Sequence, residues 1–69
     1  MTEKAHDFYS YPILKFFAYE HLPVNLQRIS KPFGDLAEFI IIAVPPGPET
    51  SVALRKLLEA KDAAVRAAL

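Results

Sequence analysis

The chain has 69 residues, with no cysteine, no tryptophan, two glycines and no excess of either charge. Each shortage removes a possibility. Without cysteine there can be neither disulfides nor thiolate metal sites. The two histidines, His6 and His21, match no zinc-ligand spacing. With Gly34 and Gly47 as the only glycines, no glycine-rich phosphate loop can be built. Eight basic residues balance eight acidic ones and none form a tail, which argues against binding DNA or RNA polymers. The longest apolar run, Phe39 to Pro46, is too short to cross a bilayer, so no membrane partner is expected. The start, MTEKAHDFYSY, lacks the basic and apolar regions of a signal peptide, so the cytosol is the expected compartment. Ser10, Ser30 and Ser51 have no context that would activate a serine, and His21 beside a helix boundary reads as structural. Neither catalysis nor a cofactor is expected.

What the chain has in quantity is apolar surface. At 69 residues it is one small domain, with residues 1–7 polar and expected to fray. A core this size is marginal for a monomer, and 52% hydrophobic residues are more than it can cover. With disulfides and metals excluded, self-association is the expected remedy.

The pattern is helical. From Leu22 to Val44, residues Leu22, Leu26, Ile29, Phe33, Leu36, Ile40 and Ala43 alternate steps of four and three, one stripe down a helix. Pro32 lies inside it and removes the bond to the Arg28 carbonyl, which predicts a bend with Lys31 beside it. Val24, Phe39 and Ile42 fall off the stripe, so this helix should be buried on more than one side. A strand over Phe39–Val44 competes on composition but has no second strand to pair with. Before this helix, Phe8, Tyr9, Tyr11, Phe16, Phe17 and Tyr19 crowd into twelve residues, and Pro12 opens a short helix to about Glu20. After it, Val44-Pro45-Pro46-Gly47 is a stiff turn. A last helix from about Pro48 to Ala67 buries Leu54, Leu57, Leu58, Lys61, Ala64, Val65 and Ala68. Asp62 and Arg66, four apart, should pair on its surface.

Six rings exceed what so short a segment can bury, so some should face a ligand or partner. Flat rings with a few placed cations suit a nucleotide. Lys31, Arg28, Arg55 and Lys56 supply the cations, and Thr50 and Ser51 add hydroxyls at the start of the last helix.

The run YEHLPVNLQRISKPFGDLAEFI, followed by PPGPETSVALRKLLEAKDAAVRAAL, resembles the small phage anti-CBASS proteins that sequester cyclic oligonucleotide signals. The similarity spans residues 11–69 and rests on HLP at 21–23, LQ at 26–27, SKPF at 30–33 and, above all, ALRKLLEAKDAAVRA at 53–67. It implies an all-α protomer: a short N-terminal helix plus two long antiparallel helices, the first kinked at Pro32, in a helical homohexamer. It also implies a non-enzymatic sponge in the cytoplasm of the infected host, which holds cyclic dinucleotides between protomers and keeps the CBASS effector from firing. Carried over, Phe16 and Tyr19 would contact bases, with Tyr11 as the alternative ring, and Lys31 would contact phosphate. Where the family uses a tyrosine, Phe16 would keep the stacking face and lose the hydroxyl. A cyclic trinucleotide site on the three-fold axis would use Arg55 and Thr50. A different class of function, a helical module that binds a host protein and no nucleotide, fits the excess apolar residues equally well.

Overall fold

A computed structural model describes residues 11–69. The polar start and the rings Phe8 and Tyr9 lie outside the described residues. Three helical elements follow one another, with no strand among the described residues: a short 3-10 helix Pro12–Phe17, α1 Val24–Ala43 and α2 Pro48–Ala67. Proline punctuates every start. Pro12 opens the 3-10 helix, with Tyr11 held extended before it (φ −121°). Pro23 caps α1, its carbonyl accepting from both Leu26 and Gln27 N–H groups (2.9 Å each). Pro48 opens α2, with Glu49 at the positive end of the helix.

The short first element differs from the expected helix to Glu20. It is a 3-10 helix and ends at Phe17, where Ala18 is already extended. The segment PILKFF is too short and too rich in aromatic and β-branched residues to sustain α-helical turns alone. Its Leu14 N–H donates to the Tyr11 carbonyl at 3.0 Å, closing the tighter turn.

The two long helices pack against each other as an antiparallel hairpin. At one end the Thr50 hydroxyl donates to the Pro45 carbonyl at 2.6 Å and closes the turn. At the other end Leu22, just before α1, lines one groove with Val65 and Arg66 near the end of α2. The 3-10 helix lies across both helices. The core is small: Phe17, Leu26, Ala37, Ile41 and Leu54 are its buried hydrophobics, with Leu14, Phe33, Leu57 and Leu58 half-buried around it.

The inward face of α1 is not the one its strongest apolar stripe suggests. Leu26, Ser30, Ala37 and Ile41 are buried, whereas Leu36 and Ala43 are exposed. At about 100° per residue, this face is rotated roughly 80° from the Leu22–Ala43 stripe. Close approach explains the choice. Serine, glycine and alanine at 30, 34 and 37 let neighbouring backbone come near. A Cβ on Gly34 would meet the Phe17 carbonyl oxygen at 3.3 Å. The larger side chains on the stripe stay at the flank or point outward. Consequently Leu36, Phe39 (62% exposed) and Ile42 (57%) are uncovered in a single chain, as Val24 is.

On α2 the expected face is the buried one. Leu54 is fully buried, Leu57, Leu58, Lys61, Ala64 and Val65 are half-buried, and only Ala68 is exposed. The expected Asp62–Arg66 pair does not form. Asp62 instead accepts from Lys61 at 2.8 Å, because the Lys61 side chain leaves the apolar face sideways to reach solvent.

Candidate functional site

The 3-10 geometry distributes the aromatic rings. Steps of about 120° per residue send neighbouring side chains to different sides. Phe17 goes into the core, and Phe16 is left 55% exposed. The Lys15 ammonium sits over the Phe16 ring, 5.3 Å from its centroid. After the 3-10 helix the chain crosses to α1 through Ala18–Leu22. Gln27 fixes that crossing: its side-chain amide donates to the Leu22 carbonyl at 2.8 Å and to the Glu20 carbonyl at 3.3 Å. Pro23 offers no side-chain cap, so Gln27 reaches back from the first turn to hold the loop.

The sequence-predicted ring contacts separate among three grooves lined by described residues. Phe16 lines a groove of about 300 Å³ between the 3-10 segment and the C-terminal half of α2. His21 and Leu22 form one wall, and Lys61, Val65 and Arg66 form the other. Tyr19 lines a second groove of about 280 Å³, whose other polar members are Glu20, Asp35 and Glu38. Tyr11 lines a third of about 210 Å³, together with Ser51 and Arg55. Within one protomer, therefore, Phe16 and Tyr19 do not share a cleft, whereas Tyr11 and Arg55, expected in different sites, do.

Lys31 and Tyr19 are brought together. The Lys31 ammonium lies over the Tyr19 ring at 5.8 Å from the centroid and donates to Asp35 at 2.8 Å. The hydrogen bond and charge of Asp35, with smaller contributions from Tyr19 and Glu38, raise the Lys31 pKa above the ordinary 10.5. Lys31 is thus firmly cationic, but its partner here is a carboxylate. A phosphate taking that place would displace Asp35 and face Glu20 and Glu38 nearby. Exposed i,i+4 pairs of this kind contribute little, so a phosphate can take the place of Asp35 at small cost.

Thr50 and Arg55 stand differently. Thr50 is buried and its hydroxyl hydrogen is committed to Pro45, so its first role is to close the interhelical turn. Arg55 is exposed and forms no ion pair with another described residue. Sequence reasoning passed over three residues. Gln27 sets the loop, Lys61 brings a sheltered cation to the Phe16 groove (side chain 12% exposed), and Arg66 adds a second. Gln27 had a signal, a long amide in the first turn of a helix that lacks a cap. Lys61 had one too, a lysine inside an apolar stripe.

Among the described residues no cluster of three histidine, cysteine or carboxylate side chains could hold a metal ion. No described helix is long and apolar enough to cross a membrane. Comparison of the chain with family models, with curated proteins and with solved structures gives no match.

Proposed function

We propose that this protein is a phage anti-defence sponge that binds cyclic di- and trinucleotide messengers without cleaving them. It acts in the cytoplasm of the infected bacterium and keeps CBASS effectors unliganded. The observation that carries the reading is the sequence resemblance at SKPF (30–33) and ALRKLLEAKDAAVRA (53–67). Two structural features are in keeping with it. The aromatic segment leaves Phe16 open beside cations. One face of α1 carries uncovered Leu36, Phe39 and Ile42, the kind of surface that copies of a chain bury against each other.

In this reading the protomer assembles as a homohexamer through that face, and α1 bends at Pro32. Dinucleotides lie between protomers, with Phe16 and Tyr19 (or Tyr11) against bases and Lys31 on a phosphate. Splitting of the two rings between separate grooves of one chain fits a pocket that needs two chains to complete it. Three Arg55 side chains around a three-fold axis would present three cations to the three phosphates of a cyclic trinucleotide. Thr50 would hold the turn that carries them. No covalent chemistry is required, and capture rests on stacking and charge-assisted contacts.

The test is recovery of the ligand. A cyclic dinucleotide incubated with the protein, then released by heat denaturation, should come back intact by chromatography. Linear fragments would replace the sponge with a hydrolase. Failure to retain any cyclic nucleotide would favour the protein-binding helical module, for which the same uncovered face would be the docking surface.

A further inference from the structure

The groove beside Phe16 has a composition that the other grooves lack. Among the described residues lining it, Lys15, Lys61 and Arg66 bring three cations and Asp62 is the one carboxylate. The Tyr19 groove, of similar size, is lined by three carboxylates, and Lys31 beside it pairs with only one of them, Asp35, so it stays net negative. An anionic ligand that fits either space is therefore drawn to the first and repelled by the second. The Phe16 groove also holds an exposed ring at its edge, the one exposed aromatic of the N-terminal segment among the described residues, with Val65 on its lining. Its volume of about 300 Å³ is at the lower end for small-molecule sites, enough for one base with its phosphates.

Lys61 is the distinguishing element. It springs from the apolar face of α2, its stem is packed, and its side chain is 12% exposed. A cation whose stem is already immobilised gives up little rotamer freedom on binding. Its present partner is Asp62, the next residue on the same helix, in a geometry that helix neighbours rarely share.

From this we infer that the groove is a nucleotide phosphate site. Lys61 and Arg66 are the phosphate contacts, Phe16 stacks the base, and Asp62 competes with the ligand for Lys61. The excess of two positive charges matches a ligand with two phosphate charges. Lys15 leaves the Phe16 ring as the base arrives and turns to the phosphates, giving up an exposed and therefore weak cation–π contact. The inference rests on the nucleotide reading above and assigns it residues of α2 that the sequence did not indicate.

The experiment is calorimetric titration of cyclic di-AMP into the assembled protein and five variants. Arg66→Gln and Lys61→Gln should each weaken binding about tenfold or more, as loss of a charge-assisted bond does. Asp62→Asn should tighten it severalfold by freeing Lys61. Glu59→Gln changes net charge equally but lies on the outer face of α2 beside Lys56, and should leave binding unchanged. Because Arg66 is exposed, its variant stays folded even if the Lys61 variant does not. Equal tightening by the Asp62 and Glu59 variants would overturn the inference, since net charge alone would then explain it. Wild-type binding by Arg66→Gln together with complete loss in Lys31→Ala would also overturn it while leaving the sponge reading intact. No heat from the wild-type protein would remove both.

Discussion

Replacing Ser30 by alanine should stabilise this protein. Ser30 is completely buried in the middle of α1, and its hydroxyl has no hydrogen-bond partner among the described residues. Leaving a buried hydroxyl unpaired costs about 1–3 kcal/mol. Alanine also gains roughly 0.5 kcal/mol in helix propensity over serine. Against this stand a few dispersion contacts of the lost oxygen, about 0.1–0.2 kcal/mol each. The balance is a gain of about 1–2 kcal/mol. In a domain of this size each kcal/mol moves Tm by about 4–8 °C. Scanning calorimetry at fixed protein concentration should therefore show a rise of roughly 5–15 °C, using the same conversion. Urea unfolding should show a higher midpoint with unchanged slope. Ser30→Val adds bulk where the core is closest and should lose about 1–3 kcal/mol instead. Destabilisation by Ser30→Ala would refute the reasoning: it would mean that the hydroxyl has a partner in the assembled protein, and that serine is kept at 30 for that bond.

Three further outcomes follow from named contacts. Lys31 should titrate above 10.5, and Asp35→Asn should return it toward the ordinary lysine value, as followed by NMR of the side-chain nitrogen. Because its folded pKa is raised, the stability this pair contributes is complete below the unfolded pKa and is lost as pH climbs through the folded one, so only strongly alkaline solutions should remove it. Gly34→Val should cost about 1–3 kcal/mol by driving side-chain atoms into the Phe17 carbonyl, and should expose the 11–19 segment to limited proteolysis, whereas Gly34→Ala should be close to neutral because crowding offsets its helix propensity. Phe39→Glu combined with Ile42→Glu should lower the mass seen by light scattering while the helical circular dichroism persists, since both side chains are exposed in the protomer; an unchanged mass would exclude that face from the interface.

Much of the fold is legible from proline and glycine alone. Pro12, Pro23 and Pro48 each stand at a start, and Pro45-Pro46-Gly47 leaves no way to continue α1. The inward face of α1 is harder to read because the helix is apolar over more than half its circumference. Periodicity there selects the largest side chains, Leu36 and Ile40 among them. Packing selects the smallest, Ser30, Gly34 and Ala37, because the backbone of a neighbour must come close. The aromatic cluster is visible as a cluster, but its partition is not. Both rings adjoin the Ile13–Leu14 side in an α-helical reading, and which of them enters the core is set by how the short element lies against α1 and α2, where Phe17 packs on Ala37, Ile41 and Leu54. Lys61 and Arg66 escaped notice as a pair because they lie on different faces of an ideal α2. They meet at one groove only because Gln27 folds the Ala18–Leu22 crossing against that end of the helix.

The central claim is that copies of this chain capture cyclic nucleotides, and native mass spectrometry with a panel of cyclic di- and trinucleotides tests it most directly. It reads subunit number, ligand number and ligand identity from the same peak. The sponge reading predicts six chains carrying three dinucleotides or two trinucleotides, with ligand masses unchanged. A single chain that carries none of them would contradict it.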